Sequence, residues 1–164
     1  MLCVASLAAA PLLAALQGCA NSGPRAIAYG RDQCGNCRMM ISDPRYAAEL
    51  VTARGRTLVF DSIECLASFV LHNEAAPSAA RTAVGSLWVA AHRAPNTLLP
   101  AEHSWFRQES GPGSPMGKGL TAFATEREAR SHGEMAGSPL VWRDVFALVA
   151  REGLRQGDGN GTGG

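Results

Sequence analysis

Between Cys34 and Met40 the chain reads CGNCRMM, two thiols and two thioethers in seven consecutive positions. Thiolate and thioether are soft ligands suited to Cu(I), whereas zinc takes Cys and His and seldom a thioether, and hard cations take oxygen. A thioether needs no deprotonation and forms no disulfide, which suits a site working among oxidants, although it can be lost to sulfoxide. Other uses stay open on the residues alone. Cys34 and Cys37 could close a local disulfide while Met39 and Met40 fill the core, the commonest fate of methionine. A thioredoxin-like pair fits poorly, because the preceding AIAYGRDQ is polar and the motif holds no Trp or Pro. A zinc ribbon would need a second C-x-x-C, and the only later cysteine is Cys65.

The setting narrows from the start of the chain. Leu2 to Leu16 are almost all apolar or small, and no charge precedes Arg25. This run is shorter than the about 20 residues of a bilayer-spanning helix, so it reads as the apolar part of an export signal. Leu16, Gln17, Gly18 and Cys19 look like the lipobox of a bacterial lipoprotein. Residues 1–18 are then expected to be removed and Cys19 to be acylated, two or more acyl chains anchoring stably where one does not. The expected location is a periplasm-facing lipoprotein on the outer rather than the inner membrane. Of five cysteines, Cys3 leaves with the signal and Cys19 carries lipid, leaving Cys34, Cys37 and Cys65. An odd count among oxidants means that at least one thiol has a use other than an intrachain disulfide. Formal net charge is +1 with acids and bases interspersed, so no basic patch argues for nucleic acid.

The elements that must position these residues come next. Residues 19–32, polar with Gly and Pro, read as a flexible tether, a folded domain is expected over 33–155, and a disordered Gly-rich tail over 156–164. YAAELVT at 46–52 and TLVF at 57–60 read as a hairpin turning at ARGR. Asp61 and Glu64 stand at N-cap and N3 spacing before a helix running to about His72, and SLWVAAH reads as a returning strand. The second half repeats the order loosely: HSWFRQE and LTAFA as strands, Thr125 with Glu128 as a capping box, PLVW as a strand and RDVFALVARE as a terminal helix. The expected fold is α+β, two small ββαβ-like units over about 33–92 and 93–155.

Taken together, the lipobox Cys19, CGNCRMMISDPRYAAELV, the Gly55 turn, VFDSIECL and SPMGKGLTAFAT resemble the NosL family, copper-binding accessory lipoproteins of nitrous oxide reductase assembly. The resemblance implies a fold similar to organomercurial lyase and a carrier of Cu(I) rather than an enzyme. It implies two partners, nitrous oxide reductase and the ABC-transporter-type maturation complex of the same system. The family's C-x-M element falls on Cys37, Arg38 and Met39, and its M-G on Met116 and Gly117. That ranks Cys37, Met39 and Met116 as first ligands and Cys34 after them, with the Met116 loop expected to fold over the Cys37 to Met39 segment. Met40 would point away from Met39 in an extended segment and is expected in the core. Cys65 reads as a small buried hydrophobe, and His92 and His103 as accessory candidates. Two rival functions remain: a lyase-like enzyme using paired cysteines with Asp43 or Asp61 as its acid, and an exported thiol reductant.

Overall fold

The computed structural model describes residues 23–109, 113–133 and 137–158. The signal peptide 1–18, Cys19 and residues 159–164 of the expected tail lie outside the described residues. Two small antiparallel sheets form, as the α+β expectation required. In the first, β1 (Ala48–Thr52) and β2 (Thr57–Phe60) make the hairpin, turning at Gly55 with a φ of 78° that favours glycine. β3 (Val84–Ala90) pairs on the other side of β1, and β4 (Leu98–Pro100) pairs with β3, giving the order β2-β1-β3-β4. Because β1 is central and buried along its whole length, it reads as a continuous run rather than an alternation. β4 lies beyond residue 92, so the first sheet extends past the boundary expected between the units. Three residues ending in Pro give no readable period.

The second sheet has the order β6-β5-β7, from β5 (Trp105–Gln108), β6 (Leu120–Phe123) and β7 (Leu140–Val141). A parallel bridge between Ala91 and Ala122 joins the sheets, and the His92 N–H donates to the Ala122 carbonyl at 2.9 Å. Helix α1 (Ile63–Ala75) packs on β1, β2, β6 and α3, so it sits between the two sheets. Helix α2 (Glu126–Arg130) has the expected box: Thr125 accepts from the Glu128 N–H, while the Glu128 carboxylate takes the Ala124 N–H. Helix α3 (Trp142–Asp158) runs past the expected Glu152, so residues 156–158, expected in the tail, are helical. No helix among the described residues is long and apolar enough to cross a membrane.

Two expectations about chain ends of elements change. Residues 23–32 are not a loose tether: the Arg25 N–H donates to the buried Glu49 at 2.7 Å, its guanidinium pairs with Asp32 at 2.8 Å, and Ile27 and Tyr29 pack on the core. Apolar burial and a charged clasp fix ten residues whose composition alone reads as linker. At α1 the N-cap is Ser62, whose hydroxyl accepts from the Cys65 N–H at 3.2 Å, and not Asp61. Asp61 is thereby free to face the thiols.

Candidate metal centre

Cys34 opens a tight loop closed by its own N–H to the Met39 carbonyl at 2.8 Å and by Arg38 N–H to the Cys34 carbonyl at 3.1 Å. Arg38 takes a left-handed φ of 67°, an unusual conformation for a residue with a side chain. The Gly35 N–H donates to the Val59 carbonyl at 2.8 Å, and a side chain there would meet the Phe60 ring at 3.2 Å. Glycine thus lets the loop settle on the end of β2. That strand runs directly through Asp61 and Ser62 into α1, so the first helical turn, carrying Cys65, lies against the loop. The sulfurs of Cys34, Cys37 and Cys65 and a carboxylate oxygen of Asp61 consequently all lie within 4.8 Å of one another.

All three cysteines are free thiols, which removes the local disulfide. Cys34, Cys65 and Asp61 are buried, and Cys37 is half-buried and supplies the open side. The Cys37 thiol donates to Asp61 Oδ2 at 3.3 Å, and the Asn36 amide donates to Cys65 Sγ at 3.6 Å. Electrostatics separate the thiols. Cys34 is pulled down to about 6, chiefly because the Cys65 thiol donates to its sulfur, helped by the backbone N–H groups of Asp61, Cys37 and Asn36 against the opposing effect of burial. Cys37 is pushed up to about 11 by burial first, then by the neighbouring Cys34 and Asp61. Cys65, spent as a donor to Cys34 and buried, is pushed up further. The metal-free site therefore holds one thiolate and two thiols near neutral pH, and a cation entering it displaces protons. Asp61 Oδ1 is buried with no hydrogen-bond partner. Such an orphaned acceptor costs on the order of 1–3 kcal/mol, relieved when a cation or a proton arrives. The donor set fits a soft monovalent cation.

Sequence reading brought Cys34 and Cys37 here but missed Cys65, which is buried as expected yet turns its sulfur into the cluster, and it placed Asp61 on the helix cap. The odd thiol count was the one signal pointing to Cys65. Met39 is 55% exposed and Met40 58% exposed, so Met40 is not in the core. The left-handed turn at Arg38 breaks the extended zigzag that would have sent the two to opposite faces, and Ile41 fills the core position instead. Met116 is 38% exposed on a loop whose Ser114 hydroxyl donates to Glu64 Oε1 at 3.0 Å and whose Leu120 N–H reaches the same oxygen at 3.3 Å. Glu64 precedes Cys65, so this loop is fastened to the helical turn that carries the third thiol. A side chain at Gly119 would collide with the Glu109 carbonyl, which fixes glycine there. Asp43 is ion-paired with Arg45 at 2.6 Å, outside the thiol cluster, and His103 is exposed at the end of a short 3-10 turn. His92 belongs to a different cluster, with Glu109 and His132.

The sequence profile of the NosL family matches residues 27–146, most of the chain. The chain belongs to the NosL family. Among solved structures, the copper chaperone NosL from Shewanella denitrificans is similar, with 23% identity, a TM-score of 0.56, and coverage of 67% of this chain and 84% of that one. At that identity the likeness speaks for a shared NosL fold. No protein of curated function matches.

Proposed function

We propose that this NosL-family protein carries Cu(I) as cargo and delivers it for assembly of the copper centres of nitrous oxide reductase, working with an ABC-transporter-type maturation complex. It does so as a periplasm-facing lipoprotein held through Cys19, on the outer rather than the inner membrane. The observation that carries the copper reading is the group of three free thiols, Cys34, Cys37 and Cys65, gathered within 4.8 Å beside Asp61. The Shewanella protein of similar fold is a copper chaperone, which supports the same reading here. Met39 and Met116 are the thioethers proposed to complete the site.

Loading begins at the Cys34 thiolate, the sulfur already deprotonated near neutral pH. Binding by Cys37 releases its proton, and Asp61, which accepts that thiol's hydrogen bond, is placed to take it. Delivery is ligand exchange at the half-exposed Cys37, the sulfur that an acceptor's ligand can approach while the buried pair still holds the metal. A carrier of this kind breaks no bond in a substrate and is not an enzyme. Anaerobic titration of the reduced protein lacking residues 1–19 with Cu(I), against a competing chelator, is expected to give one Cu(I) per chain that excess Zn(II) does not displace. Loss of Cu(I) to Zn(II) in direct competition would refute it. Cys37 and Asp61 also juxtapose a thiol and an acid, the pairing used in carbon–mercury cleavage. Incubation with an organomercurial is expected to release no hydrocarbon.

A further inference from the structure

We propose that His92, Glu109 and His132 form a second metal site, separate from the thiols, that takes Zn(II) through two imidazoles and one carboxylate. The three come from distant parts of the chain. His92 follows β3 at the bridge between the sheets, Glu109 follows β5 with its N–H on the Gly119 carbonyl at 2.9 Å, and His132 follows α2. Their ligand atoms nevertheless all lie within 4.8 Å of one another. His132 Nε2 is 2.6 Å from Glu109 Oε1, and the His92 and His132 rings stand edge to face with centroids 4.7 Å apart.

A second observation points to a ligand. Nδ1 of His92 is buried and makes no hydrogen bond, so the ring carries a polar nitrogen that nothing in the fold satisfies, beside an imidazole and a carboxylate. The side chains are held in place by their neighbours: Phe123 packs against both imidazoles, Tyr46 against His92, and the Thr121 hydroxyl lies 3.5 Å from Glu109 Oε1. Ligands oriented by outer contacts of this kind are the usual build of a metal site. Burial and the adjacent His132 hold His92 below its ordinary pKa, which keeps it in the neutral form that a metal needs. Two imidazoles and one carboxylate, all half-buried and without sulfur, suit zinc with an open fourth position and disfavour Cu(I). The two clusters would therefore sort metals by softness within one small domain.

Co(II) is the probe, because Co(II) on sulfur shows thiolate charge-transfer absorption in the near ultraviolet while Co(II) on nitrogen and oxygen shows only its visible bands. Anaerobic titration of the reduced full-length chain is expected to give one equivalent of Co(II) with visible bands, without thiolate charge transfer, displaced by Zn(II). Glu109→Gln preserves the shape of the side chain and His132→Gln preserves a polar contact, and each should weaken that binding at least about tenfold with the melting temperature nearly unchanged. Cys37→Ser should leave it unaltered. Thiolate charge transfer with the first equivalent, or unchanged Co(II) affinity in both variants, would show that His132 and Glu109 form only an ion pair with His92 packed beside it. The result is independent of Cu(I) loading, so failure here and failure of the copper reading are told apart.

Discussion

The two clusters of metal-binding side chains are built in opposite ways. The thiol cluster comes from two short segments, 34–37 and 61–65, pressed together where β2 enters α1, and most of it is buried. The histidine cluster draws single residues from three places along the chain, meets at the junction of the two sheets, and is half-buried throughout. Softness and burial change together. A buried sulfur set retains a soft cation, and its one half-exposed member, Cys37, confines exchange to a single atom. A half-buried nitrogen and oxygen set exchanges a harder cation with solvent on every side. Family membership bears on the first, whereas the second stands on its geometry alone.

The largest expected effect separates the clusters at once. Cys37→Ser keeps a donor for Asp61 and hardly alters volume, so the fold should melt within a few degrees of the parent. Cu(I) affinity should drop by more than the roughly 10–100-fold that loss of an outer-shell partner costs, because a ligand itself is removed. Chelator competition measures it, and parent-like retention would move the site elsewhere. Cys19→Ala tests the anchor and should touch neither cluster: the protein should leave the membrane fraction while metal binding stays as before. Persistence in washed membranes would overturn the lipoprotein proposal.

Acid should strip the two regions in different windows. Cys34 in the folded chain titrates near 6, below the about 8.5 of a free thiol, so its stabilising contribution is complete above about pH 8.5 and is lost as pH falls towards 6. His92 is also held below its ordinary value, but as a base. Its contribution is intact above the ordinary histidine value and is lost only on further acidification, when the unfolded chain takes up the proton first. Thiolate absorbance of the metal-free reduced protein should show a step near pH 6 that Cys34→Ser removes. A first step near 8.5 would mean that the Cys65 thiol does not donate to Cys34.

What the sequence disclosed follows from how local each signal is. The β1 and β2 hairpin, with Gly55 at its turn, and the Thr125 and Glu128 box are decided within a few residues, and both appear as read. At Asp61 and Ser62 two residues suited to capping stand side by side, and only the tertiary pull of the thiols decides that Ser62 caps. Met40 was misplaced because alternation presupposes an extended backbone, which Arg38 does not have. Cys65 lies 28 residues beyond Cys37, and no spacing rule links them. Glu109 and His132 carry no pattern whatever, since their meeting with His92 depends on how the second sheet docks on the first.

The smallest effect concerns the residue between these extremes of legibility. Met116 sits on a loop anchored by Ser114 and Leu120 to Glu64, one residue before Cys65, while its own side chain remains 38% exposed. A loop fixed by a buried carboxylate places a flexible thioether near the helical turn of the thiol cluster without committing it to the core. Such a side chain can close over a cation and withdraw from it. Ser114→Ala would loosen the loop and leave Glu64, whose Oε2 already lacks a partner, with still fewer donors, at an expected cost of about 1–3 kcal/mol in stability. Met116→Leu leaves that anchor untouched and keeps size and hydrophobicity, deleting only the sulfur. It should melt with the parent, keep full Co(II) binding at the histidines, and bind Cu(I) more weakly by a factor smaller than Cys37→Ser produces. Equal competition of the Leu variant and the parent for Cu(I) would make Met116 a packing residue, and the cation would then rest on the cysteines with Met39 as its only thioether.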